Sequence, residues 1–171
     1  MRRIALLFGL PIGAVIIVTI IASLLLSDGG PSPYAQAIGY LIMLVAFSMI
    51  FVAVRQYRDR ERNGVLGFWP AFGLGLAISA VAGLVYVLVW EAYLAATDHA
   101  FIQQYVTGLI EAKRAEGITG AALDAEIAEL NEMVTQYGNP WIRLPITFSE
   151  IFPVGAIVSL IVALILRTRQ P

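Results

Sequence analysis

The chain has 171 residues, of which 59% are hydrophobic and 13% are charged, and its formal net charge is −1. Soluble domains carry about 25% charged residues, so this composition is typical of a protein that resides in lipid. The sequence contains no cysteine, which excludes disulfides, thiolate metal sites, iron–sulfur clusters and thiol nucleophiles. The near-zero net charge and the absence of any nucleic-acid-binding motif exclude nucleic acid as a partner.

Four apolar runs of about 20 residues are each long enough to cross the roughly 30 Å hydrocarbon core of a bilayer as a helix. They cover residues 4–26, 36–54, 68–93 and 146–166. The first run is too long for the apolar region of a cleaved signal peptide, which has about 7–15 residues, so we expect a retained helix. The sequence therefore predicts an all-α integral membrane protein with four transmembrane helices in the lipid bilayer.

Basic residues are distributed unevenly between the two ends of these runs. One side would carry Arg2, Arg3, Arg55, Arg58, Arg60, Arg62, Arg167 and Arg169, and the other side only Lys113, Arg114 and Arg143. Because positively charged loops stay in the cytoplasm, we expect both chain ends and the loop at residues 55–67 to be cytoplasmic. Aromatic residues would then mark the two interfaces, with Tyr34, Trp90, Tyr93, Tyr137 and Trp141 at the outer one and Tyr57 and Trp69 at the inner one.

Residues 97–140 are the only part of the sequence with the character of a water-soluble segment. They predict an extracytoplasmic hairpin of two helices, interrupted at Gly117, between the third and fourth transmembrane helices. Apolar residues of the second helix recur at spacings of three and four and form a narrow seam: Leu123, Ile127, Leu130, Val134 and Tyr137. The seam either packs on the preceding helix or the membrane surface, or it docks a partner protein.

Small residues recur at four-residue spacing inside three of the apolar runs. They are Gly9 and Gly13 in the first run, Gly75, Ser79 and Gly83 in the third, and Gly155, Ser159 and Ala163 in the fourth. Lipid gives helices no hydrophobic reason to associate, so close packing across small residues is the usual way in which membrane helices pair. The pattern predicts close helix crossings, either within one bundle or between two copies of the chain.

Three segments of the sequence resemble a known family. They are the tyrosine–arginine–aspartate run within residues 55–59, the glycine- and phenylalanine-rich entry into the third helix at residues 64–76, and residues 147–155. These segments are similar to the bacterial domain-of-unknown-function family 4199, and the similarity spans nearly the full chain. The resemblance implies an uncharacterised four-helix membrane protein and no particular activity.

Glu91 and Glu150 are the only acids at or inside the predicted spans, and an ionisable residue at membrane depth indicates a functional site by default. With the fourth span beginning near Ile146, Glu150 would lie about one turn, or roughly 5 Å, below the outer surface. Arg143 precedes Glu150 on the same predicted helix face and could neutralise either carboxylate. The three residues predict a structural interfacial ion pair or solvated carboxylates, or else a proton, cation or ligand site.

The run that contains Arg55, Arg58, Arg60 and Arg62 alternates basic and acidic residues. It predicts either a solvated helix end that sets the topology, or the docking of anionic lipid or of a partner, with about 1 kcal/mol per basic residue near the surface. His99 is the only histidine, and no ligand spacing predicts a metal site. We therefore expect no metal and no cofactor.

No nucleophile elbow, phosphate-binding loop or paired metal-ligand motif occurs in the sequence, so we expect no enzyme activity. The sequence favours a non-catalytic accessory or scaffolding component of a bacterial inner membrane, which would meet a membrane-protein partner or form a homo-oligomer. The alternative is a small transporter or ligand-binding membrane protein that uses the carboxylates of Glu91 and Glu150 in the outer leaflet.

Overall fold

The computed structural model describes residues 1–26 and 34–168. Within these ranges the chain forms seven helices and no strand. In chain order the helices are α1 (Arg2–Leu26), α2 (Ala35–Phe47), α3 (Met49–Glu61), α4 (Phe68–Ala96), α5 (Ala100–Ala115), α6 (Ala121–Tyr137) and α7 (Pro140–Leu166). The predicted break after the first span and the basic residue Arg169 lie outside the described residues.

Four helical segments are long and apolar enough to cross a membrane: Arg2–Leu24, Ala37–Glu61, Phe68–Ala96 and Pro140–Leu166. The predicted all-α class with four membrane-length helices is therefore confirmed. The second segment consists of α2 and α3, with a local interruption at Ser48. The Ser48 hydroxyl donates a hydrogen bond to the carbonyl oxygen of Val45 at 2.6 Å, and a side chain that occupies a helix carbonyl in this way distorts the helix locally.

The second membrane-length segment continues beyond the predicted end of its apolar run. α3 ends at Glu61, whereas the sequence placed residues 55–67 in a loop, so the connection itself covers only residues 62–67. The alternating charges account for this extension, because Arg55 and Asp59 form an ion pair of 3.6 Å one turn apart on the exposed helix surface. The charged residues therefore mark the end of the apolar run, but the helix continues through them to Glu61.

The last helix begins earlier than the predicted span at Ile146. α7 starts at Pro140, and the side chain of Asn139 accepts a hydrogen bond from the backbone N–H of Trp141 at 3.0 Å. Asparagine before the first turn and proline at its first position are both favourable at a helix start, since they satisfy or remove unpaired N–H groups. Pro145 lies inside the helix, so it does not mark the helix start.

The small residues predicted to form close crossings do so inside this bundle. A Cβ atom added at Gly13 of α1 would lie 2.6 Å from the carbonyl oxygen of Ala82 of α4. On the other side of α4, a Cβ atom at Gly75 would lie 2.6 Å from the Cβ of Ser159 of α7. The contacts of these glycines favour packing within one bundle over packing between two copies, and they make α4 the central helix.

The two ends of the bundle differ in what they carry. The amino nitrogen of Met1 lies 3.8 Å from a carboxylate oxygen of Glu61, and the backbone N–H of Leu66 donates to the hydroxyl of Thr168 at 2.7 Å. Residues 1 and 168 therefore lie at the same end as the loop at residues 62–67. The opposite end carries α5 and α6, which an ion pair of 3.4 Å between Lys113 and Glu126 joins.

We predict that Gly75→Ala will lower the midpoint of thermal unfolding of the detergent-solubilised protein, measured by circular dichroism. The added methyl group would collide with Ser159, and overpacking of this kind costs about 1–3 kcal/mol. Gly73→Ala is the matched control, because a Cβ atom there meets no atom within 4 Å. Alanine favours helix, so the control should keep or slightly raise the midpoint. Equal midpoints for the two variants would contradict the crossing of α4 and α7.

Candidate functional site

An ion pair joins α4 and α7 near the end of the bundle that carries α5 and α6. Arg143 Nε donates to Glu91 Oε1 at 2.7 Å, and Arg143 Nη2 donates to Glu91 Oε2 at 2.6 Å. Two parallel hydrogen bonds make this a bidentate pair, the strongest geometry between a guanidinium and a carboxylate. Arg143 is 5% exposed, so its charge depends on Glu91 for compensation.

The same arginine also holds the end of α6. Arg143 Nη1 donates to the backbone carbonyl oxygen of Tyr137 at 3.2 Å, and the guanidinium lies 5.8 Å from the centroid of the Tyr137 ring. The Tyr137 hydroxyl in turn accepts a hydrogen bond from Trp90 Nε1 at 3.0 Å. These contacts connect α4, α6 and α7 at one point, which fixes α6 over the end of the bundle.

Glu150 has a different environment from Glu91. Its Oε2 accepts a hydrogen bond from the Tyr86 hydroxyl at 3.2 Å. In the part of the chain that the structure describes, no Lys or Arg nitrogen lies within 4.0 Å of this carboxylate. Arg143, which the sequence offered as a partner for either acid, pairs with Glu91. Among the described residues, Glu150 is consequently the acid of the membrane-length helices that has no counter-ion.

The two acids lie at different levels along the helices. Glu150 follows Pro140 by ten residues, and Tyr86 precedes Ala96 by ten residues. At about 1.5 Å per residue, both partners lie roughly 15 Å from the helix ends that connect to α5 and α6. The shallower depth expected for Glu150 assumed a helix that begins at Ile146, whereas α7 begins at Pro140. The Glu91 pair lies closer to those ends, so the Glu150 pair occupies the deeper position.

Glu150 and Tyr86 border two cavities. The first has a volume of about 310 Å³ and lies among α1, α4, α5, α6 and α7. The second has a volume of about 410 Å³ and lies between α1 and α2. Both cavities also share Ile20 and Leu24 of α1. The hydrogen-bonded pair of Tyr86 and Glu150 therefore lies where the two cavities adjoin.

The walls of the first cavity are almost entirely apolar or aromatic. α4 contributes Trp90, and α5 contributes Phe101 and Tyr105. The rings of Trp90 and Phe101 meet edge to face with centroids 5.5 Å apart, and those of Phe101 and Tyr105 stack at 5.9 Å. An apolar pocket with few polar groups is the usual form of a small-molecule site.

The predicted seam of α6 faces this cavity. Leu130, Val134 and Tyr137 line it, while Leu123 and Ile127 are half-buried nearer the other end of α6. Leu130, Val134 and Tyr137 thus share this cavity with side chains of α5 and of the membrane-length helices. The docking of a partner protein to this seam stays a prediction.

The four arginines proposed to contact anionic lipid lie at the other end of the molecule. Arg55 and Arg58 both approach Asp59, the latter at 2.8 Å. Arg62 donates to the Tyr57 hydroxyl at 2.9 Å. Arg60 is exposed on the same helix end. The structure therefore does not bring these arginines together with Glu91, Glu150 and Arg143. In the described ranges, no group of three metal-ligating side chains comes together either.

Sequence reasoning missed the aromatic side of the site. Trp90 was assigned to the outer membrane interface, but it is 7% exposed and lines the cavity, and Tyr57 at the other end is 3% exposed. Trp69 and Trp141, by contrast, are 75% and 85% exposed, as interface residues would be. The spacing of Tyr86 and Trp90, four residues apart on one face of α4, was the available signal for this part of the site.

Glu91→Gln should destabilise the protein far more than Glu150→Gln, as measured by thermal unfolding in detergent. Removing the Glu91 charge leaves Arg143 buried without compensation, at a cost of about 2–5 kcal/mol. The amide of Glu150→Gln can still accept the hydrogen bond from Tyr86, so its midpoint should stay close to that of the parent protein. A similar loss of stability in both variants would refute the different assignments of the two acids.

Comparison with known proteins agrees with the resemblance seen in the sequence. Residues 7–168 match the family described as "Protein of unknown function (DUF4199)". No curated protein and no solved structure matches the chain. Because the match covers nearly the whole sequence, the chain belongs to the DUF4199 family of proteins of unknown function.

Proposed function

We propose that this protein binds a small, largely apolar ligand in the cavity of about 310 Å³ beneath α5 and α6, and that it has no catalytic activity. The observation that carries the proposal is Glu150, an acid without a counter-ion among the described residues, on the wall of an otherwise apolar cavity. Ionisable residues on membrane helices that face a cavity are functional by default, because their position is energetically costly. Small-molecule pockets have volumes of about 300–1,000 Å³, which agrees with this cavity.

The cavity favours ligand binding over the accessory or scaffolding role. That role needed the α6 seam as a docking face for a membrane-protein partner, and Leu130, Val134 and Tyr137 of the seam line the cavity instead. The proposal corresponds to the ligand-binding alternative drawn from the sequence, with Glu150 as the polar anchor. Glu91 and Arg143 serve to hold α6 in place over the ligand.

The proposal includes a location in a bacterial inner membrane, with the loop at residues 62–67 in the cytoplasm. The arginines near this loop support that orientation, because basic residues are retained on the cytoplasmic side. The exposed rings of Trp69 and Trp141, near opposite ends of the membrane-length helices, are suited to the two membrane interfaces. In this orientation α5, α6 and the cavity belong to the extracytoplasmic half.

Extraction of the full-length protein into polymer nanodiscs, followed by mass spectrometry of the organic extract, tests the proposal. The parent protein should retain one small molecule at near-equimolar amount. Val134→Trp should reduce its amount at least several-fold, because the indole would occupy the cavity that Val134 lines. Val18→Trp is the matched control, since Val18 is 62% exposed on α1, and it should leave retention unchanged. An extract that contains only bulk lipid in all three proteins would contradict the proposal.

A further inference from the structure

Within the described residues, the two cavities are lined by one acidic side chain and by no basic one. Glu150 supplies a carboxylate, and no Lys, Arg or His lines either cavity within the described ranges. Arg143 is the nearest basic residue along α7. Its Nε and Nη2 donate to Glu91, and its Nη1 donates to the carbonyl oxygen of Tyr137. A ligand that enters this space therefore meets a negative group and no positive side chain, which favours a cation and disfavours an anion.

The hydrogen-bonding capacity of the carboxylate is only partly used. Tyr86 donates to Glu150 Oε2 at 3.2 Å, and the structure describes no donor to Oε1. A carboxylate with free acceptor positions on an apolar wall is costly unless a donor or a positive charge compensates it. A ligand that supplies a charged N–H donor would satisfy both needs with one group.

The aromatic rings that line the same cavity as this carboxylate suit the same kind of group. Trp90, Phe101 and Tyr105 line the first cavity together with Tyr86 and Glu150. The faces of aromatic rings attract ammonium ions, and tryptophan does so most strongly. Aromatic walls combined with one carboxylate are therefore chemically selective for an amine over a neutral group of the same size.

We propose that the ligand of this cavity is a hydrophobic amine, whose ammonium group binds Glu150 and Tyr86 while its apolar chain lies along the aromatic and aliphatic walls. This inference rests on the proposed ligand-binding function and adds the chemical class of the ligand. The second cavity, between α1 and α2, gives the chain a further apolar space that adjoins the same carboxylate. An ionised Glu150 would repel the headgroups of fatty acids and other anionic amphiphiles, so the proposal disfavours ligands of that class.

Trp90 offers a fluorescent reporter inside the cavity. The chain has three tryptophans, and the other two, Trp69 and Trp141, are exposed, so Trp69→Phe with Trp141→Phe leaves Trp90 as the only indole. This protein in nanodiscs of zwitterionic lipid would be titrated at pH 7 with 10-bromodecylamine, 10-bromodecan-1-ol or 10-bromodecanoic acid, whose bromine quenches nearby indoles. Excess unbrominated decylamine shows whether the quenching reflects a saturable site.

The amine should quench Trp90 saturably and bind about tenfold more tightly than the alcohol, as one charge-assisted hydrogen bond would provide. The acid should bind more weakly than the alcohol. Glu150→Gln should abolish the preference for the amine while leaving the affinity for the alcohol unchanged. Glu129→Gln, at an exposed position of α6, is the matched control and should retain the preference.

Each contrary result has a defined meaning. Equal affinities for the amine and the alcohol, or a preference for the amine that survives in Glu150→Gln, would overturn the amine inference and leave the binding cavity in place. The absence of saturable quenching by any of the three compounds, in a protein with a native circular dichroism spectrum, would overturn the amine inference and the proposed function together.

Discussion

The bidentate pair between Arg143 and Glu91 is the interaction on which the arrangement at the α5–α6 end depends. It joins α4 to α7, and the third hydrogen bond of Arg143, to the carbonyl of Tyr137, adds α6 to the same point. Membrane helices gain little from apolar association, so a partly buried charge pair that is costly to break has a large influence on their arrangement. The same contact holds the end of α6 beside α4 and α7, and Leu130, Val134 and Tyr137 of α6 line the cavity.

The pairing of Arg143 also determines the character of Glu150. One arginine cannot form a bidentate pair with two carboxylates at different levels of α4 and α7, and the structure assigns it to Glu91. Glu150 is left with the hydroxyl of Tyr86 and with a position between two cavities. A structural ion pair and, among the described residues, an acid without a counter-ion therefore arise from one distribution of charge. This division is the physical basis of the proposed function.

Several parts of this structure could be predicted from the sequence because they depend on patterns within a single helix. The four apolar runs gave the membrane-length helices, and the spacing of small residues such as Gly75 and Ser159 gave the close crossings. The sequence left open which acid pairs with Arg143 and whether the α6 seam packs inward or docks a partner, since both depend on which helices face each other. The end of the second span was also misjudged, because residues 55–61 remain helical although the apolar pattern stops before them.

Distance measurements by double electron–electron resonance test most directly whether the Glu91–Arg143 pair holds α6 over the cavity. The chain has no cysteine, so Thr135→Cys of α6 and Leu88→Cys of α4 would introduce two unique sites for spin labels. Both positions are exposed. We predict one narrow distance distribution in the parent protein and in the control Glu129→Gln, and a broad one in Glu91→Gln. An equally narrow distribution in Glu91→Gln would contradict the central role of this ion pair.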